Sequence, residues 1–264
     1  MMNELIYVYC LSNTPPDPGP GDGPAGLRYI SAGGFFIVVK TVGDDEFSEE
    51  NLKKNLADLS WLETNVREHI DVINRITEQN IVIPFKFGTI FKTEDGLEKF
   101  IDEYGDSLVE NLLYVEWKEE WAVKIYCDRK ILCTQIDELS AGAADLEKQI
   151  MASSPGKAFL LKRKKSDLVG NEMDRLCKIY GQEYYDEFLK LSDAARLSNL
   201  LPMEFSGRQD EMILNVAYLV SRERVVDLVS SVRFLKKRYG GLGFDIELTG
   251  PWPPFSFISI KEKT

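Results

Sequence analysis

Hydrophobic positions along this chain change period several times, and each change marks an element. Leu5–Leu11 (LIYVYCL) is continuously apolar and rich in β-branched and aromatic residues, which predicts a buried strand. The stretch TPPDPGPGDGPAG that follows is a loop by composition. Phe35–Val42 (FFIVVKTV) predicts a second strand. Ser60 and Glu63 stand at capping-box spacing, and Leu62, Val66, Ile70, Ile73 and Ile76 then recur at helical period, so a helix is expected from Ser60. Ile81–Phe85 reads as a short strand whose Pro84 confines it to an edge or ends it. Gly96–Tyr114 is helical again, with Leu97, Phe100, Ile101, Tyr104, Leu108 and Leu112 on one face. Glu120–Cys127 alternates with period two.

From Asp137 to Leu191 the pattern is helical and charged, broken at Ser153–Gly156, where Ser154-Pro155 predicts a new helix start. Glu211–Val220 (EMILNVAYLV) is apolar on both faces, as a central strand would be. Arg222–Tyr239 is amphipathic, YGGLG is a turn, and Phe244, Ile246 and Leu248 alternate in a last strand. Helices interleaved with strands must cover a sheet face. The expectation is an α+β protein of two ferredoxin-like domains, residues 1–136 and 137–264, each a sheet with helices on one side. The helical middle segment either joins the two or packs on the second.

Charge narrows the function. The 264 residues carry a formal net charge of −11, which argues against a general nucleic-acid binder because phosphate neutralisation needs a basic face. Two basic clusters, Lys162-Arg163-Lys164-Lys165 and Lys236-Lys237-Arg238, read either as solvated helix faces and ends or as docking points for an acidic partner. No window approaches the ~18 apolar residues of a membrane span, and the apolar run near the N-terminus lacks the basic lead of a signal peptide. Cys10, Cys127, Cys133 and Cys177 form no C-x-x-C pair, and each sits in an apolar run as a small buried hydrophobe would. A cytoplasmic protein is expected.

Motifs for chemistry are weak. Gly21-Asp22-Gly23-Pro24-Ala25-Gly26 matches G-x-G-x-x-G, but prolines crowd it and a β-like segment follows, so no helix N-terminus is available for a pyrophosphate. His69 is the only histidine and lies beside the stripe of the Ser60 helix. It reads as a structural histidine at the core's edge, with a general base oriented by Glu63, Glu68 or Asp71 as the alternative. Asp44, Asp45, Glu46, Glu49 and Glu50 lack calcium-loop spacing. No catalytic, cofactor or metal set emerges.

Two short rigid segments concentrate aromatic residues instead: Ile83–Phe91 (IPFKFGTIF) and Thr249–Phe257 (TGPWPPFSF). They are either core or a protein-binding surface. Phe85, Phe87, Phe91, Trp252, Phe255 and Phe257 are the candidate interaction residues. The prolines are expected to set an extended path along which Trp252, Phe255 and Phe257 anchor the terminal segment on the second domain or on a partner.

These segments carry a family likeness. His69-Ile70-Asp71-Val72-Ile73, Val82–Phe91, Glu120-Trp121-Ala122-Val123-Lys124, Gly156–Leu161, Met212–Val220 and Leu248–Phe257 together resemble the gas vesicle GvpF/GvpL family, in the family's order. P-x-x-F-G-T and T-G-P-W-P-P-[YF]-S-F are the specific patterns, and Phe255 stands where tyrosine is common. The resemblance implies two modified ferredoxin-like domains. It also implies a non-enzymatic accessory protein of gas vesicle assembly, without cofactor or small-molecule substrate. Such a protein would bind the hydrophobic shell protein GvpA and other accessory gas vesicle proteins, and would be cytoplasmic and vesicle-associated. A minor structural component of the vesicle is one alternative, and a ligand-binding or enzymatic ferredoxin-like module is another.

Overall fold

The computed structural model describes residues 4–15 and 26–261. The chain forms two compact units, one of Met1–Glu120 with Pro251–Thr264, the other of Trp121–Gly250. The division expected after residue 136 therefore moves upstream. The terminal segment belongs to the first unit, so the chain leaves that unit, builds the second, and returns.

In the first unit, β1 (Glu4–Ser12), β2 (Leu27–Ala32), β3 (Phe35–Gly43) and β4 (Val82–Pro84) form a sheet in the order β2-β3-β1-β4, and β5 (Ile90–Phe91) also pairs with β1. The pairings of β1 with β3 and β4, and of β2 with β3, are antiparallel. β4 lies at an edge, as Pro84 requires. Two short helices, α1 (Asp44–Phe47) and α2 (Glu49–Asn55), precede α3 (Leu59–Thr77), and α4 (Glu94–Val115) follows β5.

Helices cover both faces of this sheet, not one as expected. Ile6, Val8 and Leu11 of β1 pack with Leu97, Ile101, Leu108 and Leu112 of α4, whereas Tyr7, Tyr9 and Cys10 pack with Val72, Ile73 and Ile76 of α3. A strand apolar at every position has two faces to bury, and one helix cannot cover both. An irregularity between Val8 and Cys10 puts Tyr9 and Cys10 in the same cluster.

The helix starts rest on local chemistry. α3 is capped by Asp58, whose carboxylate accepts from the Ser60 and Trp61 amides, so the cap is two residues earlier than the capping-box spacing suggests. α4 is capped by Thr93, which accepts from Gly96 N–H.

The second unit holds β6 (Lys118–Cys127), α5 (Arg129–Leu139), α6 (Ala141–Met151), α7 (Pro155–Leu189), β7 (Ala194–Leu197), α8 (Met203–Ser206), β8 (Glu211–Ser221), α9 (Val225–Tyr239) and β9 (Phe244–Trp252), with the ends of β6 and β9 running into the first. Its sheet order is β7-β8-β6-β9, so β8 is an internal strand, as its two apolar faces demand. Leu132, Ile136, Ala143, Leu176, Tyr184 and Phe188 from α5–α7 share one core with Val123, Ile125, Val216 and Tyr218. The helical segment is therefore part of the second unit's core and does not link two domains. Arg208, Asp210, Asp245, Glu247 and Lys124 form a charged network in this unit, with Arg208 over the Tyr126 ring. Cys10, Cys127 and Cys177 are buried, but Cys133 is exposed on α5.

Candidate interaction surface

The terminal segment is built into the first unit. The amide of Phe255 donates to Pro253 O and that of Phe257 to Pro254 O, so the prolines set consecutive turns, not the extended path expected. The turns place Phe255 against the α3-side cluster and bury Phe257, while Ile258 and Ile260 pack on the α4-side cluster. Asn111 of α4 clasps Ser259 reciprocally: its Nδ2 donates to Ser259 O at 3.0 Å and its Oδ1 accepts from Ser259 N–H at 2.9 Å. Buried Glu120 accepts from Ser256 N–H at 2.9 Å and from Ser256 Oγ–H at 2.7 Å.

Burial pushes the Glu120 carboxyl up, and the two bonds from Ser256 only partly offset it. A carboxyl raised in the folded state keeps its proton after the unfolded chain has lost it. Its contribution is therefore greatest at acidic pH and declines as pH rises through the folded value. Glu120→Gln keeps an acceptor for the Ser256 amide and a donor for its hydroxyl without a buried charge. It should leave stability unchanged near pH 4 and raise it by about 1 kcal/mol near neutrality. Glu120→Ala should cost about 1–3 kcal/mol because it orphans the Ser256 amide. Urea titrations at both pH values check the pair; equal stabilities at every pH would refute the assignment.

The six predicted aromatic residues separate. Phe85 and Phe257 are buried, so neither offers a surface, and this corrects their candidacy. Phe87, Phe91 and Phe255 are half-buried and packed into the first unit's clusters. Trp252 alone of the six is exposed. Proline and glycine shape the strand exits here while the rings fill the interior.

His69 lies inside the core, not at its edge. Its Nε2 is 3.0 Å from Phe85 O, an atom that can only accept, so Nε2 carries the proton. Nδ1 is then the acceptor for the Tyr7 hydroxyl at 2.9 Å, and that hydroxyl accepts from Gly88 N–H at 3.2 Å. Burial holds the imidazole below its ordinary pKa despite the carbonyl that favours charge. With both nitrogens engaged, no lone pair is left to take a proton from a substrate. Tyr9 stacks on the ring at 5.5 Å between centroids and donates to Glu68 at 2.7 Å. Burial disfavours the Glu68 charge, but the bonds from Lys40 and Tyr9 outweigh it and hold the carboxyl below its usual range. A cavity of about 220 Å³ adjoins this network, lined in part by Tyr7, Tyr9, Phe47 and Phe87, with Lys40 and Glu68 paired across its wall. Among the described residues no three His, Cys, Asp or Glu side chains group as metal ligands would, and no helix is long and apolar enough to cross a membrane.

An apolar surface lies on α4, outside the two aromatic segments. Val109 and Leu113 lie one turn apart on α4, on a face adjacent to its buried stripe; Tyr114 in the last turn and Trp117, two residues past the helix end, are exposed as well. Leu113 and Trp117 are each 65% exposed. A groove of about 170 Å³ runs beside Val109 and Leu113, floored by Gly33, Gly34, Phe35 and Ile81. Gly33 and Gly34 have φ of 56° and 83°, the values a two-residue hairpin turn between β2 and β3 needs. Trp117 has φ 59°, the left-handed region, and is the one non-glycine residue with positive φ among those described. For such a bulky residue this conformation is an outlier that costs about 1–2 kcal/mol.

The profile of the family described as "Gas vesicle synthesis protein GvpL/GvpF" matches residues 5–259. Gas vesicle protein L of Streptomyces sp. (strain CB03234) is 26% identical over 269 residues, covering 99% of this chain and 95% of that protein. The crystal structure of GvpF from Anabaena sp. PCC7120 superposes with a TM-score of 0.72 at 17% identity, covering 98% of this chain and 100% of that one. GvpF from Microcystis aeruginosa gives 0.66 at 18% identity, covering 97% and 99%. The structural likenesses establish a shared α+β fold, and the profile spans nearly all of the chain. The chain belongs to the GvpL/GvpF family of gas vesicle synthesis proteins.

Proposed function

We propose that this protein is a cytoplasmic, non-enzymatic accessory factor of gas vesicle assembly that holds the hydrophobic shell protein GvpA on the exposed apolar patch of α4. Family membership supports the setting, and the observation that carries the surface is Trp117. A tryptophan in a left-handed conformation, 65% exposed, is costly both to the backbone and to the solvent. Strain of this kind persists where it serves a site. Leu113, Val109 and the adjoining groove supply the apolar contact that a shell subunit would otherwise seek in another copy of itself. The chain's charge of −11 keeps such a complex soluble. Trp252, also exposed, is a second candidate contact, and other accessory gas vesicle proteins are candidate partners.

Co-expression with GvpA and pull-down tests the reading. Trp117→Gly should leave the chain folded, because glycine adopts this φ freely. The same change combined with Leu113→Ser should cut GvpA retention about tenfold. Unchanged retention by the folded double variant would remove α4 as the docking surface.

A further inference from the structure

The two basic clusters turn out to be unlike. Lys236, Lys237 and Arg238 occupy the last turn of α9, where the helix dipole favours cations. Lys236 pairs with Asp245 and Arg238 lies over the Tyr239 ring. Residues 155–165 (PGKAFLLKRKK) open α7 with five cations and no acid. The dipole disfavours Lys157 in that first turn, so helix stability does not account for it. Lys165 is neutralised by Asp137 and Glu147. Lys157, Lys162, Arg163 and Lys164 are exposed and have no ionic partner among the described residues.

Apolar side chains share the face of Arg163 and Lys164. Phe159 is 71% and Leu160 68% exposed, and they stand one turn before Arg163 and Lys164. The opposite face, with Ala158, Leu161, Lys165 and Leu168, is half-buried, and α7 packs on α5 and α6. A helix face made only for water would not carry Phe and Leu together, and one made for a core would not carry unpaired cations beside them.

We propose that the opening turns of α7 dock an acidic amphipathic helix of another polypeptide. Phe159 and Leu160 enter its apolar stripe, and Arg163 and Lys164, one turn on, pair with its carboxylates. Charge complementarity decides the occupant: this is a concentrated unpaired basic patch on a chain of net charge −11. An anionic bilayer fits less well. Two adjacent apolar side chains span less than a third of a turn, whereas helices that lie in a membrane interface need a long apolar face. The remainder of an acidic chain would also be repelled by a charged sheet of lipid, whereas a single segment fits within the patch.

This surface lies in the second unit and is independent of the α4 patch, so the two readings can fail separately. The test uses the full chain and a fluorescent peptide of about five helical turns built from Leu and Glu, with a Leu/Lys peptide and phosphatidylglycerol vesicles as comparisons. The acidic peptide should bind and the basic one should not, with affinity falling as salt rises. Arg163→Glu with Lys164→Glu should weaken binding at least ~10-fold, and Phe159→Ser with Leu160→Ser about as much. The Leu113→Ser/Trp117→Gly chain should bind the peptide as the parent does. All these positions are exposed, and circular dichroism confirms folding; if the charge-reversed chain unfolds, the Phe159/Leu160 variant alone decides. Equal binding of both peptides, or undiminished binding to the variants, overturns the proposal. So does Arg163-dependent binding to vesicles without peptide binding, or Arg163-dependent self-association of the chain.

Discussion

A chain ending at Gly250 should lose the first unit's stability while the second unit keeps its own. The truncation removes the buried Phe257, takes Ile258 and Ile260 from the α4 side and takes Phe255 from the α3 side. It also strips the Ser256 donors from buried Glu120 and the Ser259 backbone from Asn111, leaving polar groups in an apolar setting. Replacing Phe257 by Ala alone should cost about 3–5 kcal/mol, the usual range for a buried phenylalanine. Loss of the whole segment should exceed that. Residues 121–250 retain every side chain of their own core, so hydrogen exchange should accelerate in β1 and α4 and stay slow in β8 and the second half of α7. If β1 stays fully protected after truncation, the terminal segment is not the clasp described above. A failure to bind GvpA by the truncated chain would then report the loss of the first unit, not of a tail-borne contact surface. The Trp117 and Leu113 variants are needed to locate the partner for this reason.

Much of this architecture was legible from period alone. The helical repeats announced α3 and α4, and the doubly apolar run announced β8 as internal. Pro84 announced an edge, because those signals are local. The failures share one physical cause: they depend on partners far away in sequence. TGPWPPFSF shows rigidity and aromatic content, but Ser256 meets a carboxylate 136 residues away and Ser259 meets an amide 148 residues away. Composition cannot name those partners. The same holds for the second helical layer over β1. An apolar run tells that both faces are buried, yet not that α3 and α4 take one each. The α4 patch was missed because Val109 and Leu113 sit beside the buried stripe, where an extra leucine looks like a wider core face. Only solvent exposure separates the two. Trp117 carried no sequence signal, because nothing local shows that a tryptophan will stand at φ 59°. The start of α7 was partly legible: its cations were plain, but their lack of counter-charges had to be seen in three dimensions.

His69→Ala should cost the first unit roughly 2–5 kcal/mol and tilt its pH response towards a fall of stability with rising pH. The size follows from the surroundings. The ring is enclosed by Tyr7, Tyr9, Phe87 and Phe255, so deletion leaves a cavity. It also strands the Phe85 carbonyl and the Tyr7 hydroxyl, whose own ionisation is already suppressed by burial. The sign follows from linkage. His69 titrates lower in the folded chain than unfolded, so at mildly acidic pH the unfolded state binds the extra proton. Stability from this group is present above the ordinary histidine range and is lost as pH falls towards the folded value, by at most about 1.4 kcal/mol per pH unit for one proton. Glu120 acts in the opposite sense, since its raised carboxyl favours the fold at acidic pH. In the parent chain the two slopes oppose each other between the glutamate and histidine ranges. Glu120→Gln should unmask the rise with pH, and His69→Ala should unmask the fall. Chemical denaturation of the three chains from pH 4.5 to 7.5 reads both slopes. If His69→Ala keeps the parent's profile, the imidazole is not the buried neutral partner of Tyr7 and Phe85. The Tyr7 cavity would then regain a titratable group able to do chemistry.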